Sequence, residues 1–444
     1  MAQAPDSNAA HPGAPDWKRL VAVFWITSMV EGLGVSQVFA LLPADLSSMG
    51  ITGSERLAFV GLFGSLLFVL GMPLVPLWGV WADRYSRKAV IARSAIVETV
   101  VFAGMALARE PWQVAVSMLL IGFQLGNTGV MLAGIRDVTP RPVLGTTIAA
   151  FGASGPIGFA VGPVVAGILI DGFGWTIPGV FAVSAALSLG TALLVTFGTR
   201  EIRPEVIPQG RILTLAFGAV RGVVTDPIVR RIFVIFGIAF LANQMSRGYL
   251  PVLVETTVGT GPGLASAIGL VVGTAALAGA LLAPIAGMLG DRIGFRPVLI
   301  GALIGGGLAL AAMPEVAPWL GVTGLAALAV GVAAAASTVS SMVFGLLATE
   351  VPAERRSQTL NLVYLPLYAA GIIGPAAGAV VSRTAGLAAP FVVGGVVFLV
   401  GAVAVARLGR RGPQSPPERD GRADSDDRAE RGALAEAGST GVPG

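Results

Sequence analysis

The sequence has no cysteine and a single histidine, His11, in a polar tail. Without thiols there are no disulfides, thiolate metal sites or cysteine nucleophiles, and one histidine in such a tail builds neither a metal cluster nor a Ser-His pair. With only two lysines, Lys18 and Lys88, the chain carries no Walker phosphate loop, so ATP is not its energy source through that chemistry. No enzyme activity, metal or cofactor is expected. Charge is also scarce, at 12% Asp, Glu, Lys and Arg, against about 25% in soluble domains. Hydrophobic residues make up 54% of the 444 positions, which excludes a water-soluble globule of about three domains. The net charge of +4 does not indicate nucleic acid as a partner, because the basic residues fall in short loops between apolar runs.

What is abundant is apolar sequence in long runs. Crossing a bilayer core takes about 20 residues, and twelve stretches qualify: 20–44, 57–81, 89–108, 112–135, 144–170, 176–198, 231–254, 264–289, 297–313, 318–347, 359–382 and 387–406. The first is too long for a signal peptide, contains Glu31 and is followed by further spans, so it is expected to stay in the mature protein. An even count puts both termini on one side. Up to residue 411 that side holds twenty Lys and Arg residues, against Arg56, Arg109 and Arg383 on the other. The bias predicts cytoplasmic termini and a plasma-membrane location. The organisation expected is a disordered tail over 1–16, six spans over 17–198, a cytoplasmic linker over 199–230, six spans over 231–407 and a disordered tail over 408–444. Within the linker, residues 211–224 alternate apolar side chains with arginine and form either an interfacial helix or a solvated connection.

The halves repeat each other. Gly79-x-x-x-Asp83-Arg84 recurs as Gly287-x-x-x-Asp291-Arg292, and Gly162-Pro163 recurs as Gly374-Pro375. Asp137-Val-Thr-Pro140-Arg141 recurs loosely from Glu350, and Pro43 matches Pro251. Such internal symmetry is expected of secondary transporters. The loop Gly79-Val-Trp-Ala-Asp83-Arg84-Tyr-Ser-Arg87-Lys88 resembles the signature of the major facilitator superfamily, with Ser86 where that pattern prefers glycine. The resemblance implies an all-α polytopic fold of twelve transmembrane helices in two pseudo-symmetric six-helix bundles.

Gly155-Pro156-Ile-Gly158-Phe-Ala-Val-Gly162-Pro163-Val-Val-Ala-Gly167 further resembles the glycine-proline pattern of the drug:proton antiporter branch. Glycines four apart clear one helix face for a neighbour. Gly158, Gly162, Pro163, Gly167, Gly374 and Pro375 are therefore expected at the hinge faces between the bundles. The branch's buried arginine in the fourth span is missing from Ile121-Gly-Phe-Gln124-Leu-Gly126. The resemblance implies a multidrug-type efflux transporter driven by protons, acting as a monomer on small amphiphilic or hydrophobic molecules. A proton-coupled importer of a small organic nutrient, or a non-transporting receptor or scaffold of the same fold, stay open as alternatives.

Ionisable residues inside spans are functional candidates because burying them in lipid costs several kcal/mol. Glu31 lies midway along the first span without a basic residue within a turn, and Glu98 midway along the third. Both are candidate proton carriers, the alternative being acids hydrogen-bonded to neighbouring helices. Gln124 and Asn127 in the fourth span, Asn243, Gln244 and Arg247 in the seventh, and Asn361, Tyr364 and Tyr368 in the eleventh follow helical spacing and are candidate cavity residues. Gly79, Asp83, Arg84, Arg87, Lys88, Asp137, Asp291 and Arg292 make a candidate cytoplasmic latch. The resemblance suggests the start of the eleventh span, near Ser357, as its partner.

Overall fold

In lipid every backbone N–H and C=O must be satisfied inside its own segment, so a chain this apolar folds as helices. The computed structural model describes residues 17–202, 204, 207, 209–350 and 364–408. Its helices are α1 (Trp17–Ser48), α2 (Gly53–Val69), α3 (Gly71–Arg84), α4 (Arg87–Leu107), α5 (Pro111–Ile121), α6 (Asn127–Val138), α7 (Arg141–Gly167) and α8 (Ile177–Gly198). After them come α9 (Ile212–Thr225), α10 (Pro227–Arg247), α11 (Leu250–Val258), α12 (Leu264–Ile293), α13 (Phe295–Glu350), α14 (Tyr364–Ala385) and α15 (Ala389–Leu408). Their ends carry ordinary stop and start chemistry. Ser86 Oγ accepts from the N–H of Ala89 at the start of α4, and Glu110 with Gln113 forms a capping box ahead of Pro111.

Several predicted spans are interrupted. The fourth breaks at 122–126, where Gly126 has φ 98°, a left-handed conformation that costs glycine nothing. Gln124 therefore sits in a turn and does not share a helical face with Asn127 by periodicity, as the sequence suggested. The seventh breaks at Gly248 and Tyr249 before Pro251. The ninth and tenth, expected as separate runs with a gap at 314–317, form one helical element interrupted only at Gly321, with φ 56°. Among the described residues, ten helical stretches are long and apolar enough to cross a membrane. The break at Gly321 and the jointed α5–α6 pair make the pattern consistent with twelve crossings. The apolar side chains left outside, such as Phe197 at 81% and Trp319 at 85% exposure, face outward as a lipid-solvated surface requires.

Packing is repeated between the halves. A side chain at Gly158 would strike the Met29 carbonyl and one at Gly162 would strike Leu33 and Ser36, so α7 lies directly on α1. In the second half Gly374 and Gly378 admit Leu241 and Met245 of α10 in the same way. The halves meet through α7 against α12 and α2 against α14. The linker's ambiguous stretch is helical as α9, with Leu213 and Phe217 exposed.

Candidate functional site

Polar residues of the first half collect around Glu31. Its carboxylate, half-buried on α1, accepts from Asn127 Nδ2 at 2.8 Å, with the Gln124 side chain alongside and the Arg93 guanidinium close enough to attract it. Arg93 comes from α4 and lies 3.7 Å over the Trp78 ring of α3. The broken fourth crossing contributes backbone as well: the freed Gln124 carbonyl accepts from Ser94 Oγ at 2.8 Å and Arg93 Nη2 at 3.4 Å. Glu98, 3% exposed, accepts from Ser188 Oγ at 3.2 Å. Trp78 Nε1, Arg93 Nε and Nη1, Glu98 Oε1, Gln124 Oε1 and Asn127 Oδ1 have no hydrogen-bond partner among the described residues. Buried polar atoms are ordinarily paired, so this concentration makes the region the leading functional candidate of the first half.

A second cluster lies at the end of the bundle that carries the signature loop. Arg87, 4% exposed, donates to Asp83 Oδ1 at 2.9 and 3.0 Å and to Asp137 Oδ2 at 2.6 Å. Glu201 closes the start of α4, bonding Ser86 Oγ, the Arg87 N–H at 2.9 Å and the Lys88 N–H at 3.3 Å. Lys88 Nζ reaches the Thr199 carbonyl at 2.9 Å and Arg84 Nη1 the Gly210 carbonyl at 2.7 Å. The cluster thus ties the first half to its own linker. Asp291 and Arg292 of the second copy are exposed and make no ion pair with described residues. Side chains added at Gly79 or Gly287 would meet nothing within 4 Å.

The opposite end is where the halves close on each other. Arg56 Nη1 lies 3.0 Å from Glu255, with both side chains largely shielded, and also donates to Ser47 Oγ at 2.6 Å. Tyr249 Oη donates to the Leu57 carbonyl at 3.1 Å, Ser65 Oγ to the Ile372 carbonyl at 2.9 Å, and the Ser266 N–H to Asp171 Oδ2 at 2.7 Å. Beneath them Arg247 projects from α10 between two rings of the first half, its Cζ 4.6 Å from the Phe39 centroid and 4.4 Å from that of Phe159.

One expectation changes in part. The hinge glycines Gly158 and Gly162 face α1 of their own half, and Gly374 faces α10. A helix face cleared for such close packing is consumed inside the half. Of the same expected set, Pro163, Gly167 and Pro375 do meet the other half: the Pro163 carbonyl meets Gly269, Gly167 meets Ser266 and Pro375 meets Gly61 and Gly64, with the Ala160 carbonyl against Gly273 beside them. Arg247 is held between the faces of two aromatic rings. No basic residue lies within a turn of Glu31 on its own helix, and the cation beside it, Arg93, comes from α4.

Among cavity candidates, Gln244 is buried and accepts from Arg247 at 3.4 Å, Asn243 accepts from Ser246 through its backbone, and Tyr368 packs on Phe68 at 6.1 Å. Asn361 and the side chain of Tyr364 lie outside the described residues, as does Ser357. Trp78, Glu201, Phe39, Phe159, Glu255 and the Arg56 partnership were not singled out from sequence. Their partners lie tens to about two hundred positions away, so no local spacing signals them.

Comparison with known proteins agrees with this architecture. The Major Facilitator Superfamily matches twice, over residues 24–267 and 232–439. The multidrug resistance protein MdtG of Enterobacter lignolyticus is 29% identical over 408 residues, 91% of this chain and 96% of that protein. MdtG of Citrobacter koseri is 32% identical over 307 residues, 68% of this chain and 74% of that protein. The crystal structure of the nucleoside transporter NupG has the same fold, with a TM-score of 0.71 at 15% identity over 89% of this chain and 99% of that one. With the signature loop, the repeated halves and the paired α7–α12 and α2–α14 contacts in place, the chain belongs to the Major Facilitator Superfamily of membrane transporters.

Proposed function

We propose that this protein exports small amphiphilic or hydrophobic compounds across the plasma membrane in exchange for protons, by alternating access between two halves at 17–198 and 231–407. The observation that carries the reading is Glu31, a half-buried carboxylate in mid-membrane bonded to Asn127 beside Arg93. A carboxylate placed so can take up and release a proton as the halves rearrange, and its partners Asn127, Gln124 and Arg93 set when it does so. Glu98, one helix layer deeper, is the second carrier. The names of the similar MdtG proteins support multidrug cargo, and the largely apolar lining expected of the cavity suits such molecules.

The Lys and Arg bias makes the signature end cytoplasmic, with both termini on that side. The Arg56–Glu255 and Tyr249–Leu57 contacts at the opposite end support reading this as the state closed to the outside, and the protein works as a monomer. In it the Asp83–Arg87–Asp137 cluster holds the first half together, ready to meet the other half when the cytoplasmic side closes. Vesicles containing purified protein and loaded with a fluorescent cationic dye test the proposal. An imposed pH gradient drives dye movement that a protonophore abolishes; transport indifferent to the gradient would overturn proton coupling.

A further inference from the structure

A guanidinium held inside a bundle normally faces a carboxylate, yet Arg247 pairs with none among the described residues. Its one hydrogen bond among the described residues is a long one, 3.4 Å to Gln244 Oε1 on its own helix. The charge is met instead by the faces of Phe39 and Phe159, whose centroids are 6.5 Å apart. Paired aromatic faces are also how proteins recognise quaternary ammonium groups. Beside the guanidinium lies a crevice bounded by Leu42, Val60, Gln244, Gly248 and Tyr249, with room for about one water molecule.

The two partners in this sandwich belong to different halves. Phe39 is on α1 and Phe159 on α7, two helices locked together through Gly158 and Gly162, so the ring pair moves as one piece. Arg247 is on α10 and stays in place only while the Arg56–Glu255, Tyr249–Leu57 and Ser65–Ile372 contacts hold the outer end shut. Opening that end withdraws the guanidinium and leaves two ring faces turned toward the opening.

We propose that Phe39 and Phe159 form an exit site for lipophilic organic cations, and that Arg247 is a tethered occupant that takes their place each time the outer end closes. The inference rests on the efflux reading for the direction of travel, and it names a cargo class within that reading. A cation that has moved up from the cytoplasmic side binds the vacated rings, and re-entry of Arg247 expels it outward. Because one site cannot hold two cations, cargo and guanidinium exclude each other.

Tetraphenylphosphonium binding to the purified full chain, measured by equilibrium dialysis, tests this without requiring transport. Arg247→Gln removes the internal competitor and is expected to tighten binding about tenfold, the scale of one desolvated cation–π contact. Adding Phe159→Leu is expected to abolish that gain, whereas adding Phe159→Tyr, which keeps the ring, retains it. Monodispersity of each variant in detergent guards against misfolding, and the Tyr variant stands if the Leu variant fails to fold. Unchanged affinity in Arg247→Gln, or a gain that survives loss of the ring, overturns the site. The efflux reading is judged separately, by export of the same cation from vesicles bearing the parent protein: export without the binding pattern sinks the site alone, and the binding pattern without export sinks the efflux reading alone.

Discussion

The side-chain amide of Asn127 donates to the Glu31 carboxylate at 2.8 Å, joining residues 96 positions apart. The bond exists because the fourth crossing is jointed at Gly126, which turns Asn127 into the first residue of α6 and aims it at α1. A straight helix through 112–135 would have placed Asn127 by periodicity alone.

Glu31→Gln preserves shape and the bond to Asn127 but cannot release a proton. Gradient-driven export is expected to fall about a hundredfold or more, the usual scale for losing a group that carries a proton, while the protein still inserts and binds cargo. Full pH-driven transport by reconstituted Glu31→Gln would falsify this assignment and move attention to Glu98.

Arg56 and Glu255 tie the halves together at 3.0 Å at the end opposite the signature loop, with side chains 14% and 13% exposed. Removing one partner of such a shielded pair costs on the order of 1–3 kcal/mol, enough to shift a two-state population tenfold. Glu255→Gln is therefore expected to loosen outer closure, and the swap Arg56→Glu with Glu255→Arg to recover part of it. Because the chain has no cysteine, Val60→Cys with Gly248→Cys reports closure by disulfide formation. Equal crosslinking in all three backgrounds would show that the pair has no part in gating.

The two kinds of glycine contact separate folding from gating. Gly162→Leu drives a side chain into Leu33 and Ser36 of the same half, so it is expected to cost about 1–3 kcal/mol by overpacking and to lower the melting temperature. Gly269→Leu meets the Pro163 carbonyl across the interface and is expected to leave the melting temperature nearly unchanged while reducing outer-end crosslinking. The reverse pattern would place the moving surface on Gly162 after all.

At the signature-loop end, Asp137→Asn takes one of two carboxylates from the buried Arg87 and is expected to destabilise the first half by roughly 1.5–3 kcal/mol, the worth of one hydrogen bond to a charged group. Gly79→Leu has no neighbour to strike in this state, so its expected effect is on transport alone, by preventing the cytoplasmic side from closing. Asp291→Asn, at an exposed position without a described ion pair, is expected to do less than either. A Gly79→Leu protein that transports normally would remove the signature glycine from the closing surface.

Membrane insertion, helical class and the repeat were legible because each depends on local composition. Twenty apolar residues cross a bilayer whatever they pack against, and Gly79 to Lys88 with its echo at Gly287 is a contiguous pattern. The carboxylates Glu31 and Glu98 stood out for the same reason, since a charge in an apolar run is conspicuous without knowing its neighbours. The glycine pattern around Gly162 revealed close packing but not its target: periodicity defines a helix face and says nothing of which helix covers it. Breaks were missed at residues 122–126 and 248–249 and misplaced near Gly321, because apolar composition continues through a turn whose backbone is satisfied by side chains such as Ser94. The Glu31–Asn127, Arg56–Glu255 and Arg247–Phe39 contacts join residues 96, 199 and 208 positions apart. Composition decided that this chain would be a bundle of membrane helices. Only tertiary packing decided which charges meet, because electrostatic and cation–π contacts act over a few ångströms and depend on helices that the chain order leaves far apart.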